Sequence, residues 1–246
     1  MADASAPHRR RFSWKTALDV VTSLVMIGAA VFLVMSNLSS RARSRPELRI
    51  PEQPVSIEGA ATKGSPTAPV VMIAFADFQC PFCGRFAREV LPELQKDYIE
   101  TGRVQLVYRH LPLPNHPLAV PAARAAECAG QQGQFWPMHD GLFAEGAQLD
   151  EAGLRSLVGA LAVDPGDLAG CLADPQVAEL VRRDAETARA LGLPGTPSFL
   201  LGSRLPDSRV DVFRVFSGAR SAAQFRQEMD RALASVQTPW WRKLLS

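Results

Sequence analysis

The sequence predicts an α/β domain in which a mixed sheet carries helices on both faces and a grafted helical insertion, preceded by one transmembrane helix. Three observations carry this. The apolar run Val70–Ala76 has the composition of a strand buried on both faces. Several helical stretches lie together between strand candidates 104–110 and 198–201. The run Ala17–Leu38 holds one charge, Asp19, and at ~1.5 Å per residue it is long enough to cross a hydrocarbon core of ~30 Å.

Composition sets the outer limits. With 246 residues, 47% hydrophobic, 21% charged and four cysteines, the chain is neither a disordered tail nor a small disulfide scaffold. Its 27 basic and 25 acidic residues leave +2, without the basic footprint of a nucleic-acid binder, so no nucleic-acid partner is expected. That average hides a division. Residues 1–49 hold eight basic side chains (Arg9, Arg10, Arg11, Lys15, Arg41, Arg43, Arg45, Arg49) against Asp3, Asp19 and Glu47, a net +5, and the remainder is −3.

In chain order, residues 1–16 form a basic N-terminal segment and 17–38 the transmembrane anchor. The run is long for a cleaved signal, no small-x-small cleavage site follows it, and Trp14 and arginines bracket it as interfacial residues do, which favours a retained anchor over a buried soluble helix. Lys and Arg are balanced on its two sides, so charge does not orient it; Arg9-Arg10-Arg11-Phe12 weakly resembles a twin-arginine signal. Residues 39–69, with prolines at 46, 51, 54, 66 and 69, read as a linker with a short strand at 55–57. The domain proper is expected over 70–236, with the insertion at about 115–191 and a C-terminal tail at 237–246. After Val70–Ala76 comes a helix from about Cys83 to Glu100, kinked at Pro92. A strand follows at 104–110, then helices 117–130, 135–143, 150–161 and 176–191. Asn115, Asp150 and Asp174 are their expected starts and Gly192 a stop. Strands 198–201 and 212–216 and a helix capped by Ser221, running to Ala234, complete the domain.

The chemistry is concentrated in Cys80-Pro81-Phe82-Cys83. A strand leading into a helix there sets Cys80 at the helix N-terminus, where unpaired N–H groups and the dipole favour a thiolate. Pro81 suits an early helical position because its missing N–H has no role there. Two cysteines so spaced can close an exposed disulfide, or one can attack while the other resolves the mixed disulfide. Half a zinc site has the same spacing, but no second pair follows, the other cysteines stand at 128 and 171, and His8, His110, His116 and His139 lack ligand spacing, so no metal and no cofactor are expected.

The segment Phe75-Ala76-Asp77-Phe78-Gln79-Cys80-Pro81-Phe82-Cys83 resembles the active site of DsbA-like thiol:disulfide oxidoreductases of the thioredoxin-fold superfamily. Gly192-Leu193-Pro194-Gly195-Thr196-Pro197-Ser198-Phe199 is similar to the superfamily's cis-proline loop. Ala122–Cys128 and Gln134–Asp140 are similar to the branch's helical insertion. The resemblance spans about 55–235. It implies a thioredoxin fold with Cys80 and Cys83 catalytic, and Pro81, Phe82, Thr196 and Pro197 in the substrate-binding loop. A cis bond at Pro197 would present the Thr196 backbone to a bound peptide as an added strand. The strongest oxidases of the family have His where this chain has Phe82, which points to a weaker oxidant, and Thr196 is as similar to isomerases and reductases. Thioredoxin itself has a buried acid where this chain has Ala74, leaving Asp77 or Glu89 as replacements.

Cys128 and Cys171 lie on helical stretches whose surroundings suit either two buried thiols or a disulfide. With neither a paired turn nor a helix start beside them, they read as a structural pair rather than a second redox relay; family members often carry one. Phe135, Trp136 and Met138 read as core rather than a cofactor platform, and His139 as a structural histidine. His110 and His116 stand near a Leu-Pro-Leu-Pro loop with a possible place beside the groove.

The expected activity is disulfide exchange with secreted or periplasmic protein thiols, as an oxidase, with reductase or isomerase action, a tethered metal chaperone and a thiol-independent chaperone as alternatives. The expected redox partner is a quinone-linked membrane oxidase, or a thiol reductant donor in the opposite direction. An oxidising compartment suits two cysteine pairs, which places the N-terminus inside and the domain on the periplasmic face of the membrane. The tail Trp240-Trp241-Arg242-Lys243 could rest on that membrane or on the domain.

Overall fold

The computed structural model describes residues 14–43, 48–146 and 149–237. It divides into two units, 1–47 and 48–246. Among its described residues the first contains one helix, α1 (Trp14–Arg43). Its large apolar side chains, among them Leu24, Val25, Met26, Phe32 and Met35, are exposed. Among the described residues, no helix is long and apolar enough to cross a membrane. The expected basic segment up to residue 13, its Arg9–Arg11 motif, and the Trp-Trp tail fall outside the described residues.

In the second unit the sheet has the order β1-β6-β5-β3-β4-β2. β1 (Val55–Ser56) and β2 (Ala61–Lys63) are short outer strands on β6 and β4. At the centre, β3 (Val70–Ala76) pairs parallel with β4 (Val104–His110) and antiparallel with β5 (Ser198–Arg204), and β6 (Arg209–Ser217) follows β5. Every residue of β3 is buried, and the strand period explains why. Val70, Met72 and Ala74 face a core with Phe86, Leu94, Phe225 and Met229, while Val71, Ile73 and Phe75 face one with Val107, Leu200, Ala185 and Ala188. A strand sandwiched by helices has no solvent face and so carries no polar alternation.

The helix after the Cys80–Cys83 turn is irregular. α2 (Pro81–Arg85) passes into a π-helical stretch, Phe86–Val90; α3 (Leu91–Leu94) passes into another, Gln95–Ile99. Pro92 lacks the N–H for a regular helical bond, consistent with the break at Val90–Leu91. The insertion comprises α4 (Ala119–Gln131), α5 (Phe135–Glu145), α6 (Glu151–Ala160), α7 (Pro165–Ala173) and α8 (Pro175–Ala190). Asp150 and Asp174 cap α6 and α8 by accepting from Gly153 N–H and Gln176 N–H. Gly192, at a positive φ of 65°, follows the end of α8. Ser221 caps α9 (Ala222–Gln237) in a reciprocal exchange with Gln224.

Four sequence expectations change. Asn115 caps nothing, since α4 begins at Ala119 behind Leu118. The helix expected from Cys83 begins at Pro81. α7 is a separate helix beyond those expected at 150–161 and 176–191; it starts at a proline behind Asp164, which accepts from Asp167 N–H. The linker to residue 69 is instead mostly domain: α1 reaches Arg43, the compact unit starts at Leu48, and β1 and β2 join the sheet. Its prolines suggested an extended tether, but Val55 and Ile57 bury against Val71, Ile73 and Val210, which fixes the segment on the sheet.

Candidate active site

The topology brings the two resemblance motifs together. Phe75 pairs with Ser198 across β3 and β5, so the turn after β3 and the loop before β5 emerge side by side. One carries Cys80 and Cys83, the other Thr196 and Pro197, joined by a cis peptide bond. The Cys80 sulfur lies 3.5 Å from the Thr196 carbonyl oxygen, to which the thiol donates.

Neighbouring groups hold the Cys80–Cys83 turn. Cys80 N–H donates to Asp77 O at 3.1 Å, and Cys80 stands as the N-cap of α2 in extended conformation. Phe78 is 1% exposed; it stacks on Tyr108 of β4 at 5.3 Å and meets Phe143 of α5 at a tilt at 4.9 Å, which pins the turn to the sheet and to the insertion. Gln79 accepts from Leu118 N–H at 2.6 Å and donates to Leu149 O. The insertion therefore braces the turn from two directions.

The two sulfurs are chemically unlike. Cys80 is brought down from the ordinary thiol value of 9.0 to about 5, chiefly by a hydrogen bond from Cys83. Burial opposes this, while the Thr196 side chain and the amides of Cys83 and Phe82 assist. The Thr196 hydroxyl is buried, and it favours the thiolate form of Cys83 as well as of Cys80. Burial pushes Cys83 well up, and the neighbouring Cys80 adds to the rise. Near neutral pH the reduced pair holds one proton, on Cys83. Phe82 is 52% exposed beside Cys80, with the Arg85 guanidinium 5.6 Å from its ring, and offers the thiolate no side-chain hydrogen bond. Pro81 occupies the first turn of α2.

The second pair is placed differently. Cys128 and Cys171 form a disulfide with sulfurs 2.06 Å apart, packed among Leu168, Val177, Val158 and Leu172 and joining α4 to α7. Phe135 and Met138 are buried core; Trp136 packs beside them, and its Nε1–H donates to Thr62 O. His139 is buried against Asp140, which its Nδ1 meets at 2.8 Å, and burial lowers its pKa. His110 is also buried, with Nε2 2.7 Å from Glu127.

Of the two replacements for an acid at Ala74, Glu89 is exposed and Asp77 is buried. Asp77 accepts from Gln79 N–H, Leu113 N–H and His116 Nδ1, and its own N–H donates to Cys83 Sγ at 3.5 Å. The sequence named Asp77 and His116 separately; their contact was not legible, because they are 39 positions apart. An acid directly behind a fully apolar strand was the available signal.

The family described as Thioredoxin matches residues 57–214, the stretch that holds both motifs and the insertion. The chain belongs to the thioredoxin family. Among solved thioredoxin-fold structures it is similar to Wolbachia pipientis alpha-DsbA1, at 21% identity and TM-score 0.62 over 74% of this chain and 94% of that one. BdbD from Bacillus subtilis gives 22% and 0.61 over 74% of this chain and 100% of that one. A thioredoxin-like oxidoreductase from Silicibacter pomeroyi gives 29% and 0.57 over 71% and 92%. Among curated proteins it is 36% identical over 211 residues to Na(+)/H(+) antiporter NhaA 3 of Salinispora tropica, over 82% of this chain and 32% of that protein. The chain thus spans about a third of the length of the curated relatives it matches.

Proposed function

We propose that this chain is a DsbA-like thiol:disulfide oxidoreductase that exchanges disulfides with secreted or periplasmic proteins through Cys80 and Cys83, in the oxidising direction. One observation carries the reading: a Cys80 thiolate favoured at a helix N-terminus, beside a buried Cys83 that keeps its proton. A substrate thiolate attacks Cys80 Sγ, the Cys80–Cys83 bond breaks with its electron pair going to Cys83, and a second substrate thiolate then displaces Cys80. The low pKa of Cys80 makes it a good leaving group and stabilises the reduced enzyme, so its disulfide is oxidising. Thr196 and Pro197 are the proposed docking edge for substrate, and Cys128–Cys171 is proposed as a structural brace of the insertion.

The second reading is a reductase or isomerase, favoured by Phe82, which lends the thiolate no polar contact. The reduction potential of the Cys80–Cys83 couple decides direction. A value well above thioredoxin's ~−270 mV is expected for the oxidase, and one near it overturns that version in favour of a reductase. A metal chaperone would instead bind Cu(I) or Zn tightly without exchanging disulfides.

The proposed location is the cell membrane, single-pass through residues 17–38, with the domain on the periplasmic side. The exposed apolar side chains of α1 support it. The proposed redox partner is a quinone-linked membrane oxidase, or a thiol reductant donor in the second reading. Sodium–proton exchange, stated in the names of the curated relatives, forms no part of this reading.

A further inference from the structure

The insertion holds a groove of about 400 Å³ between α4, α6 and α7, which the chemistry of Cys80 and Cys83 does not use. Its walls are Val120 and Ala125 of α4, Leu154 and Val158 of α6, and Leu168 and Leu172 of α7. That volume is within the ~300–1,000 Å³ of small-molecule sites. Two walls are fixed to each other: the Cys128–Cys171 disulfide ties α4 to α7, and Arg124 of α4 donates to Leu172 O. The third wall is looser. α6 carries Leu154, Leu157 and Val158 at helical spacing yet has no buried residue, whereas α4, α5, α7 and α8 each have at least one. Outside α1, the exposed large apolar side chains among the described residues are Ile50, Phe82 and Val120, and Val120, at 44%, lines this groove.

The charges of the groove are of one sign. Arg124 and Arg155 line it and no acid does. Arg124 is partly buried, and its Nε–H is buried with no hydrogen-bond partner. A guanidinium so placed has lost water without gaining an anion. Glu127, one turn along α4, is held by His110. Arg155 meets Glu151 at 3.4 Å, but the two side chains are 71% and 77% exposed, a pair worth little in water.

These features select an occupant with an aliphatic tail and an anionic head. An extended peptide does not fit, because helical walls bond their amides and carbonyls internally and would leave its backbone without partners. A neutral or cationic amphiphile suits the walls but does nothing for Arg124. We propose that the groove between α4, α6 and α7 binds a long-chain carboxylate, its tail against Leu154, Val158, Leu168 and Leu172 and its head at Arg124 and Arg155. Binding is non-covalent and independent of disulfide exchange. The tail covers the stripe of α6 that the fold leaves partly exposed, and so fastens α6 to the other two helices.

The test uses the full chain in non-ionic detergent micelles at pH 8, with a photoreactive 12-carbon carboxylate as probe and peptide mass spectrometry to locate the label. A probe with the same tail and a quaternary ammonium head runs beside it, and labelling of the exposed apolar side chains of α1 normalises both. Labelling of α4, α6 and α7 is expected to saturate, to be displaced by unlabelled laurate and to exceed that by the ammonium probe at least ~10-fold. Arg124→Met and Val120→Glu should each lower it by about 10-fold. Arg155→Met, at a side chain 71% exposed, tests the head group even where Arg124→Met fails to fold, which circular dichroism reads. An insertion that takes no saturable label overturns the proposal. So does equal labelling by the two heads, or labelling unmoved in every folded variant.

Discussion

The two cysteine pairs share one chain and one domain and have opposite surroundings. Cys80 and Cys83 sit on a turn between a strand end and a helix start, with two backbone amides and a threonine hydroxyl directed at one sulfur. Cys128 and Cys171 sit within helices and are lined by Leu168, Val177 and Leu172. Only the first environment lowers the free energy of a thiolate, and a thiolate is what exchange requires. Burial alone does not separate them, since Cys80 and Cys128 are both under 5% exposed; what favours the Cys80 thiolate is first the Cys83 thiol and then the Thr196 side chain and two amides.

The largest test of that contrast is Cys80→Ala, expected to lower disulfide exchange with a model peptide by at least ~1,000-fold while leaving thermal unfolding within a few degrees of wild type. The complementary change, Cys128→Ala with Cys171→Ala, should leave exchange within a few-fold of wild type and cost stability. For a loop closed over a separation of 43 residues the chain-entropy relation gives about 4 kcal/mol, readable by denaturant unfolding. Exchange lost with this second pair would mean that the brace also shapes the active-site turn.

The sulfurs of the first pair should also part on titration. Between the Cys80 value of about 5 and the much higher Cys83 value, reduction takes up two electrons and one proton. The potential is then expected to fall by about 30 mV per pH unit, and by about 60 mV per unit below pH ~5, where both sulfurs bind protons. Because the folded pKa of Cys80 is depressed, its contribution to the stability of the reduced form is full above the unfolded value near 9 and is lost as pH falls through about 5. A slope of 60 mV throughout would show that Cys80 has no special environment. The smallest effect is expected from Thr196→Val, which removes one of several donors and should raise the Cys80 titration point by about one unit or less, read by thiolate absorbance.

Sequence reasoning worked where a local pattern is also the physical cause. Seven apolar residues in a row can only be a strand covered on both sides, and Val70–Ala76 is one. A cysteine followed by proline behind such a strand is a helix start, and Cys80 is an N-cap. It failed where the cause is distant. Thr62 and Lys63 are polar and stand between prolines, so nothing local marked β2; its position comes from pairing with Val107 and Leu106, more than 40 residues on. The surroundings of Asp77 are the same kind of case: the sequence offers it as a buried acid, but not the Leu113 amide and His116 that fold onto it.

The outer strands have a further meaning. β2 covers three residues in the middle of β4, whereas β1 covers only Arg209 and Val210 of β6, so among the described residues the outer flank of β6 from Asp211 to Ser217 has no strand beside it. A protein whose proposed clients arrive unfolded meets many extended chains seeking such a run. In the proposed reading a client lines up along the Thr196–Pro197 loop beside the Cys80 sulfur, and the flank of β6 is a second edge that an extended chain meets.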